Sequence, residues 1–347
     1  RVVKVLIWGA GAIGGTIGAY LVRAGHDVTF VDLVEEHVDA IRANGLHITG
    51  PVDDFGVKAS AFTPRELHGR WNLVVLCTKA QHTAHAARQL APHLHEDGYV
   101  VSAQNGLNEL VLADALGAER VMGCFVNFGG DYLSPGTILY GGRGAVVLGE
   151  LDGQDTPRLR ALHELFLTFD DAAITTGNIF GYLWSKLAYG ALLFATALTN
   201  DSIADALSLS EYRATYIALA REVLRVAVTT GIQPEAFDGF DPAAFMPSAS
   251  DEQASKSMDD MVAFNRKSAK THSGIWRDLA VRKRPTEVVQ EESILTAGQA
   301  CGVPTPIIAR LVSLVRDLES GRRSLGRENL DALRDAMGRA ATAEQPA

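Results

Sequence analysis

The stretch "VVKVLIWGAGAIGG", residues 2–15, decides the fold. Its first half is a nearly unbroken apolar, β-branched run, the pattern of a strand buried on both faces of a parallel sheet. Its second half sets Gly9, Gly11 and Gly14 in the G-x-G-x-x-G spacing. That spacing alone is weak. Here it follows a strand, opens a helix predicted to run to about Ala24, and precedes a second strand at "DVTFVD", residues 27–32. In that setting the three glycines have separate tasks. Gly9 permits the tight turn, Gly11 lets a pyrophosphate approach the backbone, and Gly14 lets the helix lie close to the strand. Ala12 and Ile13 begin the helix, whose free N–H groups and positive dipole end suit phosphate.

Asp32 closes the second strand, near the offset of roughly 20 residues at which a carboxylate accepts hydrogen bonds from the adenosine ribose. It also disfavours a 2′-phosphate. Glu35 and Glu36 follow, and no Lys or Arg stands between Arg23 and Arg42. The expected cofactor is NAD(H), preferred over NADP(H). The structural alternative for Asp32 is a helix cap.

Outward from this unit, "LVEEHVDAIRANG" reads as a helix ending at Gly45, and strands are predicted at residues 71–78 and 98–104. Residues 120–128, 136–142 and 144–150 add β character. The alternation predicts an α/β fold with an N-terminal Rossmann doubly wound parallel sheet. From about residue 179 strand signals vanish, and helices are predicted over 210–231, 286–302 and 305–321. The last begins with Thr305 and Pro306, an N-cap and first-turn pair. Residues 231–253 are Pro/Gly-rich and read as a loop. The expected domains are a dinucleotide-binding domain, residues 1–178, and an all-helical C-terminal domain, residues 179–340, with a frayed tail "TAEQPA".

A chain of 347 residues, 47% hydrophobic and 21% charged, has ordinary globular composition and length for two domains. Its net charge of −9 argues against nucleic acid or anionic membrane as a partner. No apolar run is long enough to span a bilayer. The chain enters its first strand at once, so no signal segment is expected ahead of the fold. Cys77, Cys124 and Cys301 are odd in number and widely spaced, with neither a disulfide framework nor a metal-ligand pattern. A reducing, cytoplasmic setting and no metal are expected.

Chemistry-bearing residues lie on both sides of the boundary. "CTKAQ" (77–81) and "AQNGLNE" (103–109) follow strands, and ligands of open α/β sheets bind outside the carboxyl ends of strands. Lys79 and Asn105 are therefore candidates, against the plainer readings of a solvated loop lysine and an Asn-Gly turn. "YLWSKLAYGALLFATALTN" (182–200) holds one charge, Lys186. A lone ammonium there either snorkels along apolar surface or serves a cleft.

"GAGAIGG", "TKA", "QNG", "LWSKL", "RPTEV" (284–288) and "GVPTP" (302–306) occur in this order across the chain. With them the chain resembles the ketopantoate reductase family over almost its whole length. The resemblance implies hydride transfer between a nicotinamide and a 2-oxo acid/2-hydroxy acid pair. It implies that Lys186 is the general acid and that Glu287 lines the same cleft. It implies that Asn105 contacts substrate or nicotinamide, and that Lys79 stands at the cofactor–substrate junction. A homodimer is implied too. Partial desolvation lowers a lysine pKa and makes it a better proton donor near neutral pH.

The departures are specific. The family commonly carries asparagines four and eight residues after the lysine, where this chain has Gly190 and Phe194. That face should favour a bulkier or more apolar 2-oxo acid, unless Asn127 or Asn200 replaces the amides. The family's serine is matched by Ser273, or by Ser257 in "SKSMDD". Lys270, Arg277, Arg282, Lys283 and Arg284 form either a solvated face or a second carboxylate anchor. Two rival functions remain: a sibling NAD-dependent dehydrogenase for another hydroxy acid, acting in catabolism, and a non-catalytic dinucleotide sensor.

Overall fold

Apolar residues without polar alternation form strand β1 (Lys4–Trp8), in which Val5, Leu6, Ile7 and Trp8 are all buried. The computed structural model describes residues 1–343. The chain divides into two compact units, Arg1–Ile179 and Phe180 onward.

In the first unit β1 leads through α1 (Ala12–Arg23) to β2 (Asp27–Val31), and then through α2 (Glu35–Asn44) to three short strands, β3 (Leu46–Thr49), β4 (Phe55–Val57) and β5 (Ser60–Phe62). Next come β6 (Trp71–Leu76), α3 (Thr83–Leu90), β7 (Leu94–Ser102), α4 (Asn108–Leu116) and β8 (Val121–Val126). The unit closes with β9 (Gly129–Ser134), β10 (Thr137–Gly142), β11 (Val146–Glu150), α5 (Pro157–Leu167) and β12 (Ile174–Thr175). The main sheet has the order β12-β11-β8-β7-β6-β1-β2-β5. β1 is parallel to β2 on one side and to β6 on the other, with Leu6 opposite Thr29 and Val74. The chain first builds outward through β2 and β5, then crosses to β6, so the order reverses at β1–β6. Ligands of such sheets bind at this switch point.

Two features add to the predicted doubly wound parallel sheet. β11 runs antiparallel to β8, because β9 and β10 return the chain in the opposite sense. A second sheet, β4-β3-β10-β9, was not predicted. Its Tyr140 stacks edge-on against Tyr20 of α1, with ring centroids 5.9 Å apart.

The second unit continues α6 (Ile179–Thr196) and adds α7 (Ile203–Ser208), α8 (Arg213–Thr229), α9 (Asp251–Lys267) and a single turn, α10 (Gly274–Trp276). It ends with α11 (Val289–Cys301), α12 (Pro306–Glu319) and α13 (Glu328–Ala343). Among its described residues no strand occurs, only an isolated bridge between Phe237 and Phe240. α6 is apolar all round and buries Leu183, Trp184, Leu187, Leu192 and Phe194, as such helices do. Thr305 does not cap α12 with its side chain. Glu222 of α8 takes that task, accepting from the N–H groups of Ile307 and Ile308 at 3.1 and 2.7 Å. A carboxylate satisfies two orphan donors where a threonine hydroxyl serves one, and it also answers the helix dipole. Of the tail, Thr342 and Ala343 end α13, and residues 344–347 lie outside the described residues. Among the described residues no helix is long and apolar enough to cross a membrane.

Candidate active site

The carboxyl edge of the main sheet begins at Gly9, whose φ of +97° lies where only glycine is unstrained. A Cβ at Gly14 would collide with the carbonyl oxygen of Gly9, so helix and turn touch there. A Cβ at Gly11 would meet nothing within 4 Å. That open space lies before the first N–H groups of α1, at Ala12 and Ile13, which have no partner within the helix by its geometry. The cradle thus fits a diphosphate.

Asp32 follows β2 and spends both oxygens on backbone. Oδ2 accepts from Ala10 N–H at 2.8 Å and Oδ1 from Val34 N–H at 2.9 Å. Val34, not Asp32, occupies the N-cap position of α2. Each oxygen keeps a further lone pair for a ribose hydroxyl. His37, a residue the sequence pattern does not single out, completes the turn. Its Nδ1 accepts from Gly136 N–H at 2.9 Å, so Nε2 carries the proton and donates to the Ala10 carbonyl at 2.6 Å. Ala10 is thereby held at both its N–H and its C=O.

The loops after β6 and β7 are tied together by Gln104. Its amide donates to the Thr78 carbonyl and to Thr83 Oγ1, both at 2.9 Å, while its Oε1 accepts from Ser102 at 3.0 Å. Thr83 donates to Asn108 Oδ1 at 2.8 Å, and Asn108 donates to the Asn105 carbonyl. The half-buried Lys79 and Asn105 thus stand on loops that share one buried network. Glu109 is fully buried beside it, and burial, opposed only weakly by its own backbone N–H and the Ser102 hydroxyl, pushes its pKa up to about 8.

In the second unit Lys186 is half-buried and is the only charged residue of α6. One turn later, Gly190 is partly exposed, and a Cβ built there would meet a single atom, Oε1 of Glu291, at 3.5 Å. Phe194 is completely buried. It belongs to the core, so the expectation that it presents an aromatic face to a ligand is corrected. Glu287 is half-buried in a turn pinned from two sides. Thr286 N–H donates to Glu319 at 2.7 Å, and Val288 N–H donates to Thr286 Oγ1 at 3.2 Å. α6 and α11 thus approach each other at Gly190 and Glu291, with Lys186 one helical turn before Gly190 and Glu287 four residues before Glu291, ahead of α11. Glu291 is fully buried, both its oxygens lack hydrogen-bond partners, and burial holds its pKa well above the usual carboxylate range.

Ser273 is buried and caps α10, accepting from Trp276 N–H at 3.2 Å. Ser257 lies on α9, half-buried. Of the cationic stretch, Arg282 and Arg284 both pair with Asp278, at 3.3 and 2.7 Å. Asn200 is exposed and accepts from Trp276 Nε1 at 3.4 Å.

Comparison with known proteins follows this geometry. A family profile described as ketopantoate reductase PanE/ApbA matches residues 5–153, and the profile of its C-terminal part matches residues 178–319. A 2-dehydropantoate 2-reductase from Halobacterium salinarum is 25% identical over 315 residues, covering 90% of this chain and 98% of its own. The crystal structure of a PanE/ApbA family ketopantoate reductase from Ralstonia eutropha JMP134 superposes with a TM-score of 0.78 at 28% identity, covering 92% of this chain and 100% of that one. The ternary structure of D-mandelate dehydrogenase with NADH and anilino(oxo)acetate gives 0.77 at 22% identity, covering 92% and 99%. That last likeness is one of fold.

Proposed function

This chain belongs to the ketopantoate reductase family and is an oxidoreductase acting on CH–OH groups, and we propose that it interconverts a 2-oxo acid and its 2-hydroxy acid with NAD(H), using Lys186 as general acid. The acid is 2-dehydropantoate or a close analogue. When bound, the reduced nicotinamide would supply the hydride. The chain's own groups do the rest. The backbone from Gly9 to Gly14, with Ala12 and Ile13 opening α1, holds the diphosphate. Asp32 accepts from the adenosine ribose. Lys79 and Asn105 stand at the sheet edge, where the nicotinamide end and the substrate are held. Lys186 gives its proton to the carbonyl oxygen as the carbon accepts hydride, and takes one back in the reverse direction. Glu287 orients the ammonium, and Ser273 is a further substrate contact.

Lys186 carries this reading. It is a single ammonium on an 18-residue apolar helix, and a snorkelling lysine needs no partner motif such as the pinned turn at Glu287. The preference for NAD(H) over NADP(H) is supported by Asp32 and by the pairing elsewhere of the two cations that flank it in sequence. Arg23 pairs with Asp53 at 3.1 Å and Arg42 with Glu66 at 2.7 Å. A second reading, a dehydrogenase for a bulkier hydroxy acid, draws on the missing side chain at Gly190. A homodimer in the cytoplasm completes the proposal, and light scattering of the purified chain tests its assembly. The deciding experiment is kcat/KM with NADH and NADPH for 2-dehydropantoate beside 2-oxo acids of graded size. A 2-oxo acid turned over at about 10⁴ M⁻¹s⁻¹ or more is the expected result. A flat, inactive panel rejects the reading in favour of a dinucleotide sensor.

A further inference from the structure

We propose that Glu109 is a positioning residue that acts through the Ser102 hydroxyl on the loops carrying Lys79 and Asn105, and that it holds them for the cofactor only while its carboxyl is protonated. The inference rests on the reading above that these loops meet the cofactor. It starts from two backbone carbonyls. A carbonyl oxygen only accepts, so the oxygens of Thr78 and Asn105 fix which way the side chains bonded to them point. Gln104 must turn its NH2 to Thr78, and Asn108 must turn its NH2 to Asn105. The Gln104 oxygen then faces Ser102, 3.0 Å away, and has to accept from it. A hydroxyl has one proton. With that proton spent on Gln104, the Ser102 oxygen has only a lone pair to turn to another group.

Glu109 is that group. Ser102 is the one side chain that acts on its carboxyl. A carboxylic O–H suits a lone pair, and a carboxylate is repelled by it. An ionised Glu109 would draw the Ser102 proton to itself and strand the Gln104 oxygen. Ser102, Gln104, Thr83, Asn108 and Glu109 are all buried, so bulk water does not replace the lost donor. The disturbance then runs along the donors. Gln104 donates to Thr83 at 2.9 Å and Thr83 to Asn108 at 2.8 Å, and the chain ends on the carbonyls of Thr78, beside Lys79, and Asn105. Burial favours the protonated acid and pushes its pKa up to about 8. The titratable groups of the elements packed on α4 are His85 and Arg88 of α3, Glu119 and Arg120 in the turn after α4, and Cys124 of β8. α4 itself adds Asp114, and those of β7 precede Ser102 by three residues or more. None of these contributes to the shift, so the proton that titrates in this network is that of Glu109.

The test is the pH profile of NADH affinity, by fluorescence titration. In the wild type Kd should stay level up to about pH 7.5 and rise about tenfold by about pH 9.5, since a site that needs one proton loses up to about tenfold per pH unit above its pKa. Glu109→Gln, whose NH2 donates to Ser102 at every pH, should hold Kd within about twofold across the range. Ser102→Ala removes the relay. Its Kd should be about fivefold weaker at neutral pH, near the worth of one hydrogen bond, and should vary less than about twofold with pH. A merely structural acid would lower the melting temperature as pH rises and leave the Kd profile flat. A flat wild-type profile with measurable NADH binding therefore overturns the inference while leaving the oxidoreductase reading intact. So does a rise that Glu109→Gln or Ser102→Ala shares in full. Should Glu109→Gln not fold, the wild type and Ser102→Ala decide. A wild type that binds no NADH at any pH overturns the oxidoreductase reading, and this inference with it.

Discussion

Glu222 and Glu291 sit in the same helical unit, both buried, and only one has partners. At the α8–α12 junction Glu222 takes two backbone N–H groups and starts a helix. At the α6–α11 contact Glu291 has none. The first unit repeats the contrast. Asp32 spends its oxygens on Ala10 and Val34, whereas Glu109 is fully buried and neither of its oxygens makes a close hydrogen bond. The partnered acids fasten backbone to backbone. The other two each stand four residues after a candidate site residue in the loop ahead of their helix, Glu109 after Asn105 and Glu291 after Glu287. Burial alone does not assign a task to a carboxylate; its partners do.

The largest expected effect breaks the first pair. Glu222→Leu strands two buried N–H groups and should cost about 3–5 kcal/mol in urea unfolding, since hydrogen bonds to charged groups contribute about 1.5–3 kcal/mol each. Glu291→Leu should cost nothing. Equal losses would mean that partners do not distinguish the two acids. Next comes Asp32. Its ribose contacts and its repulsion of a 2′-phosphate should favour NADH over NADPH by roughly 2–4 kcal/mol in fluorescence titrations. Asp32→Ser should narrow that gap, and tighter NADPH binding by the wild type would refute the assignment.

Glu109 sharpens the contrast through pH. Its folded pKa of about 8 lies above the unfolded carboxylate value. Between the two values the folded state holds the extra proton, so stability falls as pH rises from the unfolded pKa and levels off above about 8. Glu109→Gln should remove a loss on the order of 1–3 kcal/mol between pH 5 and pH 8, read by chemical denaturation at both. Parallel losses in variant and wild type would show that burial does not raise the Glu109 pKa. The smallest effect belongs to His37. His37→Phe frees the Ala10 carbonyl and should weaken NADH binding about fivefold to tenfold, near the worth of one hydrogen bond. An unchanged Kd would show that Asp32 holds the turn alone.

What the sequence made legible is what local pattern encodes. The apolar run into Gly9, Gly11 and Gly14, the acid closing β2 and the lone Lys186 of α6 are all readable within a few residues. The second sheet is not. β3 and β4 are too short to show periodicity, and β3 pairs with β10 far along the chain. The partners that set the candidate site are distant too. His37 bonds Gly136, Thr286 bonds Glu319, and Glu222 bonds Ile307. Thr305 and Pro306 carry the local signature of a cap, and a carboxylate from another helix overrides it. Phe194 shares a helical face with Lys186 on paper, yet it is core. Glu291 stands in "QEES", which reads as a solvated face, and only its burial sets it apart.

The central claim is that Lys186 protonates the substrate carbonyl. The direct test is steady-state NADH oxidation by Lys186→Ala with the best 2-oxo acid of the panel, beside NADH affinity by fluorescence. The account expects kcat to fall about 10²–10⁴-fold, the range of a lost general acid, with Kd for NADH unchanged. A variant that turns over like the wild type would make Lys186 a snorkelling residue and contradict the account.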